Sequence, residues 1–537
     1  MCGMAGFIGF DRGACGRTPR IAAERMANTL THRGPDDSGV WVDEAEGVAL
    51  AHRRLSVLDL SPAGHQPMLS ASGRFVMVFN GEIYNHLELR EELAGQNWRG
   101  HSDTETLLAC FDAWGIEATL KKTVGMFALA LWDRETRTLS LARDRLGEKP
   151  LYYGWQDETF LFGSELKALK AHPAFRAEID RDALTLFLRH NAIPAPYSIY
   201  RGIRKLPPGT FLTLHAGQKD ARPVAYWSAR AVAEAGQRNP FRRSEQDAAD
   251  ELEHLLRQSI AGQMLADVPL GAFLSGGIDS TTVVALMQVL SSRPVKTFTI
   301  GFSEAGYNEA EHAHAVARHL GCEHTELYVT PRDAMDVIPH LASIYDEPFA
   351  DSSQIPTVLV SRLARQHVTV SLSGDGGDEL FGGYNRYFWA RNLWRRLGWL
   401  PRPLRMALAG VLTTLPPAAW NMAFQKLGRW LPARLRYATP GDKLHKVAEI
   451  LAVRSPEEIY LGLVSHWKQP AQLVPGSVEP LTLLTDPAQQ ADLPDFEHRM
   501  MYLDTVTYLP DDILTKVDRA AMSVSLETRV PLLDHRV

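Results

Sequence analysis

The chain has 537 residues, with 57 Lys and Arg against 63 Asp and Glu, a net charge of −6 at pH 7; 45% of the residues are hydrophobic and 22% charged. That length predicts two large domains with cores that need neither disulfides nor a structural metal, and the near-even charge excludes a dedicated nucleic-acid binder. Four cysteines (Cys2, Cys15, Cys110, Cys322) are too few for a disulfide framework, which makes a reducing cytoplasm the expected location.

The chain opens without a basic region followed by an apolar run, so no signal peptide is expected. Its longest apolar stretch, 406–420, is broken by Gly410, Pro416 and Pro417, so no integral membrane segment is expected either. Up to residue 215 the pattern is mainly strands, at 75–79, 127–132, 139–142, 160–162 and 211–214. Helical periodicity at 22–30 and 104–114 lies among them, and short polar turns such as 133–136 predict mixed or antiparallel sheets packed on helices. Residues 216–246, with Gly217, Pro223, Gly236 and Pro240, read as an irregular linker. Beyond it a helix (246–265), a strand (268–274), a glycine turn and a helix (280–290) are followed by a strand (296–301), a helix (309–320) and a strand (326–329). This alternation predicts parallel βαβ units.

Between 380 and 441 there is no acidic residue, while ten basic side chains, among them Arg386, Arg391, Arg405, Arg429, Arg434 and Arg436, interleave with Trp389, Trp394, Trp399, Trp420 and Trp430. A helical subdomain with solvated arginines is the plain reading of this segment; an anionic-substrate or membrane-surface patch is the sharper one. His312, His314, His319 and His324 flank Cys322 without zinc-ligand spacing and read as a solvated helix face.

Two groups of residues carry chemistry. If Met1 is removed, Cys2 bears a thiol beside a free α-amine, which titrates near pH 8 and can act as its base. A cysteine at position 2 means nothing alone. It is joined by the turn His32-Arg33-Gly34-Pro35-Asp36 and by Arg54, a guanidinium suited to a carboxylate. Asn80 and Gly81 could supply oxyanion donors, and Glu82 and Asp103 could pair with an ammonium. The second group is Leu274-Ser275-Gly276-Gly277-Ile278-Asp279-Ser280, a glycine turn between strand and helix that can present N–H groups to phosphate without being a Walker A loop. A second loop, Ser373-Gly374-Asp375-Gly376-Gly377-Asp378-Glu379, follows another apolar strand (368–372). Either loop alone could be an ordinary turn. Together, Asp279 and Asp378 could hold Mg²⁺ against a triphosphate.

With these motifs in this order, the N-terminal part resembles a class II, N-terminal-nucleophile glutamine amidotransferase domain (1–215). Over nearly its whole length the chain resembles the glutamine-hydrolysing asparagine synthetase family, with 247–537 as the ATP-pyrophosphatase domain. The resemblance implies an α+β αββα sandwich followed by an α/β parallel-sheet, adenine-nucleotide α-hydrolase-like domain. It implies Cys2 as nucleophile, with Asn80 and Gly81 beside it, and glutamine bound by Arg54, Leu55, Ser56, Val57, Leu58, Asn80, Gly81, Glu82 and Asp103. ATP would be bound by Leu274, Ser275, Gly276, Gly277, Asp279, Ser280, Ile300, Ser373 and Gly374, Asp375 would serve acyl-adenylate formation, and Mg²⁺ would sit on Asp279 and Asp378. Ammonia would pass through an internal tunnel to the acyl-AMP of aspartate or of another carboxylate, such as a uronic acid of a surface polysaccharide or a secondary-metabolite precursor. The expected partners are these small molecules; a homodimer is left open.

The chain departs from the family pattern at Asp375, where many members have Glu. It also reaches Val537 where the family continues into helices carrying a lysine used for adenylation; Lys516 is not that lysine by position, so a shortened C-terminus is expected. A glutaminase-only protein with a nucleotide-binding regulatory half is the remaining alternative.

Overall fold

The computed structural model describes residues 1–9, 18–215, 217–302, 309–427 and 440–537. Cys15, Arg429, Trp430, Arg434 and Arg436 lie outside the described residues. Twelve strands form the first half: β1 (Gly3–Ile8), β2 (Asp37–Asp43), β3 (Val48–Arg54), β4 (Met68–Leu69), β5 (Phe75–Ile83), β6 (Gly125–Asp133), β7 (Thr138–Arg143), β8 (Tyr152–Gln156), β9 (Thr159–Gly163), β10 (Ile203–Lys205), β11 (Thr210–His215) and β12 (Val224–Ala225). They make two antiparallel six-stranded sheets, ordered β10-β8-β9-β1-β3-β2 and β12-β11-β7-β6-β5-β4.

Side chains of a strand alternate between its faces, and here both faces are apolar. From β1, Met4 and Ile8 enter the layer between the sheets with Val76, Val78, Ala128 and Trp132. Ala5 and Phe7 turn outward onto Ala22, Ala23 and Met26 of the helix Pro19–Asn28. On the other side Met77, Phe79, Leu129 and Leu131 meet Leu107, Leu108 and Phe111 of the helix Asp103–Trp114. The result is the αββα sandwich.

The second half holds a five-stranded sheet of β13 (Leu270–Phe273), β14 (Lys296–Phe302), β15 (Glu323–Val329), β16 (Val370–Leu372) and β17 (Glu527–Arg529). All its pairs are parallel, in the order β15-β14-β13-β16-β17. The chain runs outward from β13 in one direction and then, from β16, in the other. The switch point therefore lies between β13 and β16, where doubly wound sheets bind ligands at their carboxyl ends.

Two sequence expectations need correcting. The stretch expected to be irregular at 216–246 contains β12, which extends the second sheet, and the helix Ala229–Arg238, whose first turn is capped by the Ser228 hydroxyl. Gly236 sits inside that helix instead of ending it. The strand expected to stop at Phe79 runs on to Ile83, so Asn80, Gly81 and Glu82 are strand residues and not a loop.

The acid-free segment forms the helices Asn385–Leu397, Arg402–Thr413 and Pro417–Leu427. Its arginines are not all solvated: Arg386 pairs with buried Asp504 at 2.6 Å, Arg391 with Glu497 at 2.9 Å, and Arg405 donates to the Val453 carbonyl. Trp389 and Trp399 are exposed. Of the histidines near Cys322, His314 pairs with Glu326 at 2.6 Å. Among the described residues no helix is long and apolar enough to cross a membrane.

Candidate active site

Cys2 lies immediately before β1, buried, with its amide N–H donated to Asn80 Oδ1 on β5 at 2.9 Å. Burial pushes its thiol up, against the pull of the nearby terminal ammonium. Asn80 is fully buried and its Nδ2 has no partner, leaving a hydrogen-bond donor unused on the residue that holds the Cys2 backbone. A buried donor without an acceptor is destabilising unless a ligand supplies one. The Cys2 nitrogen is an amide following Met1, whose ammonium rests on Glu527 Oε2 of β17 at 2.5 Å. Met1 packs with Leu55, Val57, Tyr84 and Met126 of the first half and Leu256 and Ile260 of the second, in a core shared by both halves.

The other residues expected around Cys2 are present, but several are already engaged. Arg54 is turned into its own loop, where its guanidinium donates to the carbonyls of Leu58, Asp59 and Ser61. It is not presented to an incoming carboxylate in this state. It thereby shapes the loop through Leu55, Ser56, Val57 and Leu58; Ser56 N–H is held by Asp36 at 2.8 Å. Asp103 opens its helix and accepts from Ile83 N and Thr104 N. Glu82 pairs with Arg529 of β17 at 3.3 Å. Burial raises both carboxyls, Asp103 to about 6. An ammonium entering beside them would favour their ionised forms.

At the other centre the two glycine loops come together at the switch point. Gly276 has φ +79°, and a Cβ there would stand 2.8 Å from Ala313 N of the helix Ala310–Leu320, so only glycine lets that helix approach. A Cβ on Gly377 would fall 2.4 Å from Asp279 Cγ, which shows how closely the second loop presses on the first. The helix Ile278–Leu290 has no side-chain cap at Gly277, leaving its first N–H groups available to an anion. Ser275 and Ser280 hydroxyls bond across the turn at 3.0 Å, Leu274 is buried beneath it, and Ile300 is half-buried on β14.

Burial, Asp378 and Asp375 together raise the Asp279 carboxyl, the effect expected of acids gathered without a cation. Two facing carboxylates suit a hard divalent ion whose other ligands are phosphate oxygens. Among the described residues no three His, Cys, Asp or Glu side chains converge as a metal site. Ser373 Oγ donates to Asp375 Oδ2.

Sequence reasoning missed a group beside Asp375. Lys516 Nζ, buried, meets Asp351 Oδ2 at 2.7 Å; burial raises the Asp375 carboxyl, and the Ser373 hydroxyl and Lys516 pull against that rise. Burial and the neighbouring Asp351 push Asp512 up to about 8, so near neutrality it remains protonated and bonds Asp351. Asp512 comes from the π-helical turn Leu509–Ile513, which runs directly into the helix Leu514–Met522. A cavity of about 1030 Å³ between the two halves has Asp351 and Asp512 in its wall, with Tyr197, Trp227 and Tyr508. The available signal was a run of charged residues, Lys516, Asp518 and Arg519, inside an otherwise apolar helix.

The family model described as asparagine synthase matches residues 251–537, and that described as glutamine amidotransferase domain matches residues 1–227. A Mycobacterium tuberculosis protein with the provisional name of glutamine-hydrolyzing asparagine synthetase is 36% identical over the whole chain and 81% of its own length. The Bacillus subtilis protein named asparagine synthetase [glutamine-hydrolyzing] 1 is 33% identical over 99% of the chain and 79% of its own length. Escherichia coli asparagine synthetase B is 31% identical over 70% of the chain and 63% of its own length.

Proposed function

The chain belongs to the glutamine-hydrolysing asparagine synthetase family, and from that premise we propose that it makes asparagine from aspartate, ATP and the amide nitrogen of glutamine. The observation that carries the reading is the unpaired Asn80 Nδ2, buried beside Cys2 in a chain whose second half gathers two glycine loops at a switch point. In this reading residues 1–215 and 247–537 are the two catalytic domains, with 216–246 between them, and a reducing cytoplasmic setting keeps the Cys2 thiol nucleophilic.

Once Met1 is removed, the freed Cys2 α-amine takes the thiol proton as Sγ attacks the side-chain amide carbon of glutamine and later passes it to the leaving nitrogen, while the amide oxygen takes up charge facing Asn80 Nδ2 and the Gly81 N–H. Ammonia leaves, and water then releases glutamate from the thioester. Glu82 and Asp103 receive the glutamine ammonium, while its carboxylate draws Arg54 out of the 58–61 loop. At the switch point the loop residues Ser275, Gly276, Gly277, Ser280, Ser373 and Gly374 hold the phosphates, with Leu274 and Ile300 beside the nucleotide. Mg²⁺ on Asp279 and Asp378 would neutralise the triphosphate charge. The aspartate carboxylate attacks the α-phosphate and expels pyrophosphate, with Asp375 and Lys516 placing it; ammonia then displaces AMP.

Asn80→Ala is expected to lower kcat for glutamine hydrolysis by about 10²–10³-fold, the usual effect of losing one oxyanion donor, with ammonia-supported synthesis preserved. Steady-state glutamate release measures it, and an unchanged kcat removes Asn80 from the site.

The size of the interdomain cavity favours a second reading, in which the acceptor is a bulkier carboxylate than aspartate. Pyrophosphate release separates the two: with glutamine and Mg-ATP it should depend on added aspartate. Glutamate release without aspartate-dependent pyrophosphate overturns aspartate as the acceptor.

A further inference from the structure

The backbone of Cys2 is held by a side chain whose own support comes in part from the other half of the protein. Arg33 is completely buried, and its Nε donates to the Cys2 carbonyl at 2.9 Å. Its two terminal nitrogens grip both oxygens of Asp518, at 2.8 and 3.0 Å, and one of them also reaches Glu165 at 2.8 Å. Asp518 belongs to the helix Leu514–Met522, which carries Lys516 at the second centre. A bidentate arginine–carboxylate pair fixes the plane of the guanidinium as well as its position. The neighbouring turn is tied down from the same side, where Ser525 Oγ donates to the His32 carbonyl at 2.6 Å.

We propose that Asp518 is a positioning residue of the glutaminase centre: by orienting Arg33 it sets the Cys2 carbonyl and with it the thiol, so that the second half completes the active centre of the first. The proposal rests on Cys2 being the glutamine nucleophile. Asp518 touches neither glutamine nor the thiol, so its effect appears in turnover and not in substrate affinity.

The test uses the full-length chain with Asp518→Asn, Asp518→Glu, Arg33→Lys and the double variant Arg33→Ala/Asp518→Ala beside its two single variants. Asp518→Asn is expected to lower kcat for glutamine hydrolysis by about 10²-fold, the scale of a reacting group misplaced by about 1 Å, while KM stays within about threefold. Alkylation of Cys2 by iodoacetamide should slow in parallel, ammonia-supported pyrophosphate release should persist, and Asp518→Glu should recover part of the loss. The double variant should be no worse than the more damaged single one, because both act through one contact. Multiplying losses in the double variant, or hydrolysis and alkylation by Asp518→Asn at the wild-type rate, overturn the proposal. If Asp518→Asn also loses ammonia-supported release, Arg33→Lys decides: a fall in glutamine kcat with that release intact supports the role, and a wild-type kcat overturns it. Cys2→Ala measured alongside keeps the premise separate, since hydrolysis surviving there removes the nucleophile assignment whatever Asp518→Asn does.

Discussion

Replacing Cys2 with alanine is expected to lower glutamine-supported amide synthesis by at least about 10³-fold, as loss of a catalytic nucleophile does, while synthesis from ammonium salts stays within about twofold of wild type. No other described thiol can stand in. Cys110 is buried on the helix Asp103–Trp114, where burial pushes its thiol up to about 12, and Cys322 lies in the second half beside Gln288. The split follows from the architecture: Cys2 and Asn80 belong to the sandwich, while the switch-point loops belong to the parallel sheet, so free ammonia can bypass the first centre. Measuring amide product with each nitrogen source checks it, and glutamine use that survives in Cys2→Ala places the nucleophile elsewhere.

The opposite split is expected for Asp279→Asn. Pyrophosphate release should fall by at least about 10²-fold with either nitrogen source, because the amide lacks the negative charge that holds a divalent ion at the phosphates. Glutamate release should remain, since Asp279 lies in the second half. The substitution keeps the side chain's shape, which matters where the second loop leaves no room around Asp279 Cγ. Pyrophosphate assayed at increasing Mg²⁺ is the decisive measurement. A wild-type rate in Asp279→Asn excludes this carboxylate as the metal ligand.

What the sequence made legible was local. Both glycine loops announce themselves within a few residues, because a strand followed by a tight glycine turn and a helix is written into adjacent positions. The four-layer sandwich followed from motif resemblance, and the apolar content of both faces of β1 and β5 agrees with it. Roles that depend on residues far away in the chain were not legible. Nothing near Asp518 indicates that its partner is Arg33, 485 positions earlier. Arg54 looked free for a carboxylate because sequence does not show that the 58–61 carbonyls curl back onto it. The helix Ala229–Arg238 was hidden by Gly236 and the flanking prolines, although its Ser228 cap is a local signal.

The pairing of Arg33, Glu82 and the terminal ammonium with Asp518, Arg529 and Glu527 also sets an order of events during synthesis. The sandwich leaves the ribosome first, and at about 5–20 residues per second the strand β17 follows its last strand by roughly 15–60 s. Throughout that interval Arg33 has Glu165 but not Asp518, and Glu82 lacks Arg529, the partners that offset their burial in the finished chain. A newly made sandwich therefore lacks the contacts that Asp518 and Arg529 make to it. The contacts of Asp518 with Arg33 and of Arg529 with Glu82 form only once the end of the parallel sheet has been made.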